Sequence, residues 1–284
     1  MITQVSQISN AYRIGYRHLS YVYKTAVAVP PAVGRWVDAS ISSGIPKYNA
    51  YAGSQYVMTP LVGLGNDGIY TGIPAPTDRQ KLIVQIGGLL TGAVPAYVML
   101  MDYIGFYPLI DLTDDTEQLM DNTTPIPRYK TGDGIRAMAV MTVPSTIGTT
   151  ATIKYTNQSG VSNRTVTCVF LPSNGTGIIP IAAGSNLVNS APTPFIPLAG
   201  GDTGVRSIES IQFASAAEGF CALVLVRPLA TLPIYETNVY SEKNYIKDQS
   251  GFPEILNGAY LNFIIQGGAA QVPNIRMELT TAIV

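Results

Sequence analysis

Thr150-Ala-Thr-Ile-Lys-Tyr-Thr156, then Asn157-Gln-Ser-Gly160, then Val161-Ser-Asn-Arg-Thr-Val-Thr-Cys-Val-Phe170 is the stretch that decides the fold. Its first segment alternates, with Ile153 and Tyr155 on one face and Thr152 and Lys154 on the other. A period of two puts successive side chains on opposite faces of a strand. The Asn-Gln-Ser-Gly segment has turn chemistry, and the return segment places Val166, Cys168 and Phe170 on one face. Together they predict an antiparallel hairpin with one buried face.

Outward from the hairpin, the strand pattern continues. Phe220-Cys-Ala-Leu-Val-Leu-Val226 is apolar on both faces and predicts a central strand of a covered sheet, ended by Arg227-Pro228. Leu82 to Met101 carries no charge and is long enough to span a bilayer as a helix. Gly87-Gly88, Thr91-Gly92 and Pro95 interrupt it, so two buried strands, Lys81–Ile86 and Ala96–Met101, read better. Gly105 to Asp111 extends the second toward a loop. Asp114-x-x-Glu117 has the spacing of a helix N-cap and predicts a short helix to Met120.

Composition agrees. The 284 residues include 27 Gly, 20 Pro and 17 Tyr, and only 12% are charged, about half the ~25% usual in soluble domains. Such a chain is not a helical bundle, a coiled coil or a charged tail. The expected fold is an all-β sandwich, jelly-roll-like, with one or two short helices at most. Its low charge implies a surface partly covered by neighbours.

Function classes narrow on the same grounds. Lys and Arg total 17 against 18 Asp and Glu, so no cationic excess exists to neutralise phosphates, and nucleic acid is not an expected partner. The N-terminal Met1-Ile-Thr-Gln-Val-Ser-Gln7 lacks the basic-then-apolar order of a signal peptide. Without secretory context the sequons at Asn122, Asn157, Asn163 and Asn174 read as turn chemistry. Cys168 and Cys221 both sit in apolar strands and read as free, buried thiols, with a cross-strand disulfide as the alternative. Metal-ligand spacing is absent, and neither a metal nor a cofactor is expected. A single histidine, His18, would have to serve any triad, and it lies in a poor platform for one. Asp111, Asp114, Asp115, Glu117 and Asp121 cluster, which permits a Ca²⁺ loop or a glycosidase pair, but the reading taken is a polar loop. No enzymatic activity is expected.

Two further features stand out. Thr124-Pro-Ile-Pro127 leading to Gly132-Asp-Gly-Ile-Arg136 is echoed by Thr193-Pro-Phe-Ile-Pro197 leading to Gly201-Asp-Thr-Gly-Val-Arg206. Shared turn geometry at two equivalent sandwich corners would explain the echo. Residues 1–48 differ from the rest and read as an extended N-terminal arm, with 49–284 as the core domain. In the arm Tyr12, Tyr16, Tyr21 and Tyr23 interleave with Arg13, Arg17 and Lys24, Val29-Pro30-Pro31 breaks any helix, and Trp36 is the only tryptophan. Tyrosine and arginine are enriched at protein interfaces. Tyr12, Arg13, Tyr16, Arg17, Tyr21, Tyr23 and Trp36 are therefore the expected contact residues toward other subunits. Packing on the chain's own core, or stacking on bases, are the alternatives for this segment.

Several blocks resemble the virion structural proteins of tailed bacteriophages. They are Met101-Asp-Tyr-Ile-Gly-Phe-Tyr-Pro-Leu-Ile-Asp111; Glu117 to Thr123 with Ile126-Pro-Arg-Tyr129; Gly134-Ile-Arg-Ala-Met138 with Tyr155-Thr-Asn157 and Gly160-Val161; Gly204 to Ile211 with Leu223 to Leu229; and Asn257-Gly-Ala-Tyr-Leu-Asn-Phe263. The resemblance runs from Trp36 to the C-terminus and brings no catalytic motif. It implies a β-rich head component, a cement or decoration protein bound to the major capsid protein. Its location would be the virion head, assembled in the host bacterial cytoplasm without a membrane partner, and a homo-oligomer, guessed as a trimer, is expected. A tail or baseplate component and a host-glycan-binding module are the alternatives.

Overall fold

The computed structural model describes residues 5–13, 15–25, 33–63, 67–184, 191–248, 251–269 and 273–284. The Val29-Pro30-Pro31 break lies outside them. The chain is nearly all β, 49% strand against 4% helix, and the named ladders are antiparallel. The expected all-β sandwich is what forms.

Among the described residues one α-helix, α1 (Val5–Arg13), precedes eleven main strands. These are β1 (Arg17–Lys24), β2 (Trp36–Asp38), β3 (Lys81–Leu90), β4 (Ala96–Asp111), β5 (Arg136–Val143), β6 (Thr149–Asn157), β7 (Arg164–Phe170), β8 (Val205–Phe213), β9 (Phe220–Ile234), β10 (Leu261–Gly267) and β11 (Ile275–Ile283). They build three sheets. The first runs Ser241–Asn244, β3, β11, β1, Gly44–Ile45. The central one runs Ile178–Ile179, β2, β10, β4, β9, β5. The third runs Ala191–Pro192, Ile181–Ala183, β7, β6, β8, Gln118–Leu119.

Two cores result, because two strands are long enough to serve both. Ala96, Val98 and Leu100 of β4 join Ala230, Leu232 and Ile234 of β9 in a core with the first sheet, against Ile83, Ile86, Ile275 and Leu279. Met101 to Ile110 of β4 and Ala222 to Val226 of β9 enter the other core, against Ile153, Tyr155, Phe170 and Ile211 of the third sheet. Both faces of Cys221–Val226 are covered within this second core, as the apolar run predicts. That strand does not end at Arg227-Pro228, however. It continues to Ile234 beside β4. Its pairing with β5 stops at Val226, and a register shift falls between Pro228 and Ala230. An open side and a bulge are the two settings in which a strand tolerates proline.

The expected hairpin forms, with Val166 opposite Ile153 and Cys168 opposite Ala151, and its return strand begins at Arg164 instead of Val161. Lys81–Ile86 and Ala96–Met101 are both strand; the first runs on to Leu90, and the second continues through its expected extension to Asp111. Among the described residues no helix is long and apolar enough to cross a membrane. The helix expected after Asp114 is absent. Asp114 instead accepts the Thr116 amide (2.8 Å) and hydroxyl (2.6 Å), and Gln118–Leu119 pairs with β8. Aspartate bonds a backbone N–H two residues on as readily in a turn as in a cap.

The echoed turns are corners of two different sheets, leading into β5 and β8, and they touch each other. Asp133 and Gly204 form a β-bridge, Val205 N–H donates to the Ile135 carbonyl (3.2 Å), and the Thr203 hydroxyl donates to Asp133 Oδ1 (2.6 Å). A Cβ on Gly204 would sit 2.0 Å from the Gly132 carbonyl oxygen. The glycine pattern thus records close backbone approach as well as turn geometry.

The N-terminal segment departs most from expectation. Its described residues do not form an extended arm. Residues 17–24 pair with β11 along their whole length, and α1 packs Ile8 and Ala11 on Val84 and Ala282 at one end of the first sheet. The partner strand lies more than 250 residues away in sequence, so no local signal announces it. Trp36 of β2 is a core residue, hydrogen-bonded in register between β10 and Ile178–Ile179.

Candidate interaction surface

The first sheet has an inner face in the core and an outer face that, among the described residues, α1 covers at one end. Strand β1 alternates accordingly. Ser20, Val22 and Lys24 point inward, while Arg17, Tyr21 and Tyr23 are exposed on the outer face. Opposite them on β11 stand Glu278 beside Tyr21 and Arg276 beside Tyr23. The Arg276 guanidinium lies over the Tyr23 ring at 5.6 Å. Tyr240 donates its hydroxyl to Glu278 Oε2 (3.1 Å) and lies on Gly87, where a Cβ would fall 2.1 Å from its hydroxyl oxygen. Burial and the neighbouring Glu278 carboxylate push the Tyr240 phenol up to about 12.

These groups frame a shallow concavity of about 470 Å³, lined by Tyr21, Tyr23, Ile45, Leu89, Tyr240 and Arg276 among others. Tyr21 is 66% exposed and Ile45 65%. A contiguous patch of large apolar side chains with a few charged groups at its rim is the composition of a contact surface.

The expected contact residues divide. Tyr21 and Tyr23 belong to this surface. Arg13 is exposed on α1 and donates to Asn10 Oδ1 at 3.0 Å, and Tyr12 lies in the same helix. Tyr16 is half-buried beneath the Arg79 guanidinium, 4.8 Å from its ring centroid, and Arg17 is exposed at the start of β1. Trp36 is buried and must be withdrawn from the contact set, because an indole enclosed by β10 and the strand-β4 core offers nothing to a neighbour. The sequence reading missed Tyr240, Arg276 and Glu278. The alternation Ile275-Arg-Met-Glu-Leu279 was the available signal for the last two.

Other polar constellations hold the fold. Buried Asp38 accepts hydrogen bonds from the Tyr51 hydroxyl, the Tyr103 hydroxyl (2.8 Å), and the Ser40 amide and hydroxyl (both 2.8 Å). Burial raises its pKa and these donors oppose the rise. Lys24 is fully buried and donates to the Ser42 (2.9 Å) and Pro46 carbonyls, and burial lowers its pKa to about 8. Asp102 and Arg128 form a buried bidentate pair (2.9 and 2.6 Å). Each bridges elements remote in sequence, and each is enclosed.

The acidic stretch supplies no convergent site. Asp111 and Asp114 bond their own turns, Asp121 accepts the Thr123 amide, and Glu117 takes Lys154 (2.8 Å) and Ser210 (2.6 Å). Among the described residues no group of three His, Cys, Asp or Glu is placed to hold a metal. Cys168 and Cys221 are free and buried.

By architecture the chain is an all-β sandwich. No family model matches it, and no curated protein matches it. A search of solved structures aligns it with infectious bursal virus derived T=1 particles, over 94% of this chain and 77% of that one, at 10% identity and a TM-score of 0.17. Superposition that poor carries no argument.

Proposed function

We propose that this chain is a virion structural protein of a tailed bacteriophage, a cement or decoration protein bound to the assembled major-capsid lattice. The observation that carries this reading is the bare, tyrosine-lined end of the first sheet, together with the resemblance of the blocks between Met101 and Phe263 to phage virion proteins. A sheet face in a low-charge chain that leaves Tyr21, Tyr23, Tyr240 and Ile45 outside is suited to burial by a neighbour. The mechanism is linkage. A molecule that binds the assembled shell and not its dispersed subunits stabilises the shell by the free energy of that binding. The buried polar clusters give such a protein a rigid body without supplying a catalytic site.

The test is replacement of the aromatic anchors. Tyr21→Ala with Tyr240→Ala should leave the far-ultraviolet circular dichroism unchanged and lower the number of copies on purified heads at least tenfold, read by quantitative mass spectrometry. An unchanged copy number removes this face from the interface.

A further inference from the structure

Lys81 opens strand β3, and the chain supplies its buried charge with no counter-ion. The residue is 5% exposed. All 18 Asp and Glu of the sequence lie among the described residues, and none of them forms an ion pair with it. Its ammonium group donates to Thr71 Oγ1 (3.3 Å) and to the Gly72 carbonyl (3.4 Å). Both bonds are longer than the roughly 2.7–3.2 Å of a firm N–H···O contact. Lys24 is the contrast. It is enclosed, it donates to two carbonyls, one of them at 2.9 Å, and the Asp38 charge supports it. At Lys81 burial alone lowers the pKa, with no acid opposing the fall. An ammonium group taken from water without a counter-ion is costly.

A turn crosses this end of the first sheet beside Lys81. Side chains of the sheet engage its carbonyls. The Ser20 hydroxyl donates to Tyr70 (2.5 Å), the Thr281 hydroxyl to Thr71 (3.4 Å), and Lys81 to Gly72. The backbone N–H groups of Thr71, Gly72 and Ile73 have no acceptor among the described residues. Those three residues and Lys81, together with residues 256–259, line a concavity of about 220 Å³. One acidic side chain, Asp67, also lines it, and that carboxylate is already paired with Lys47.

We propose that this concavity binds a compact oxyanion of the phosphate type, held by the Lys81 ammonium group and the free amides of the 71–73 turn. A lysine meets phosphate as a point charge. Successive N–H groups of a turn form an anion-binding concavity, and the turn here contains Gly72 at a φ of 82°. The bound anion supplies the counter-charge that the chain lacks. The site stands whether or not the protein belongs to a virion.

Calorimetric titration of the full-length chain with sodium phosphate, at an ionic strength held by chloride, should show saturable binding of one anion. Lys81→Met should weaken it at least tenfold in a chain whose fold is checked by circular dichroism. Asp67→Asn removes the negative charge from the lining and should tighten binding at least threefold. Glycerol phosphate titrated in parallel separates a free anion from the head of a larger ligand, and tighter binding of either supports the site. His18 gives a readout that needs no variant, because it is the only histidine of the chain. Burial and the Lys81 charge lower its pKa. Saturating phosphate should therefore move its proton-resonance titration upward, since the anion offsets that charge. Wild type without saturable binding, a folded Lys81→Met chain that binds as before, an Asp67→Asn chain that binds no tighter, or a His18 titration unmoved by phosphate would each overturn the proposal.

Discussion

Lys24 is a side chain whose environment sets a measurable pH dependence. Its pKa falls from the usual value near ~10.4 to about 8 because no water reaches its ammonium group. Between those two values the unfolded chain holds a proton that the folded chain has lost, so this group's contribution to stability rises with pH across the window. Urea unfolding of wild type and Lys24→Met should diverge in favour of wild type from pH 8 to 10, by up to about 3 kcal/mol. Parallel curves would contradict the assignment. Arg128 carries a second prediction. Arg128→Ala leaves Asp102 as a buried carboxylate without its counter-ion and should cost about 3–5 kcal/mol in the same assay. Asp102→Asn in that background should recover part of the loss. Neither group was legible as structural from the sequence, since a lysine and an arginine beside tyrosines look the same at a surface and in a core. Trp36 shows the converse. Aromatic character marked it as a contact residue, and only the pairing of β2 with β10 shows that its contacts are internal.

At the scale of elements, what could be read was what is local. The hairpin of β6 and β7 carries its alternation and its turn within one short segment, and it forms as an antiparallel pair. The strands β3 and β4 declared themselves by apolar runs broken by glycine and proline. β1 did not, because its partner β11 lies at the other end of the chain and its tyrosine-arginine alternation equally describes an exposed arm. The echoed Gly-Asp turns were visible, but their mutual contact was not. That contact makes a sharp prediction. Gly204→Ala forces a Cβ to within 2.0 Å of the Gly132 carbonyl oxygen, whereas Gly200→Ala meets nothing within 4 Å. Thermal unfolding should show Gly204→Ala lowered by several degrees, in line with a loss of about 1–3 kcal/mol from overpacking, and Gly200→Ala unmoved. Equal midpoints for the two variants would mean the corners do not meet as described.

The whole molecule is a stack of three sheets in which two long strands, β4 and β9, run through both cores. Most of its aromatic side chains are buried or half-buried, and three of the exposed tyrosines, Tyr21, Tyr23 and Tyr240, share the outer face of the first sheet. The composition foretold the sandwich and the shortage of charge, since both are sums over the chain. Which tyrosines would share one exposed face was beyond it, because that depends on strand pairing and on which end of a sheet α1 covers. The reading of the protein as a shell-binding structural component rests on that face. Purified virions provide the most direct measurement, by quantitative mass spectrometry of copies of this chain per particle relative to the major shell subunit. The account predicts a fixed stoichiometric ratio to the shell subunit, maintained through repeated gradient purification. Absence of the chain from mature particles would contradict it.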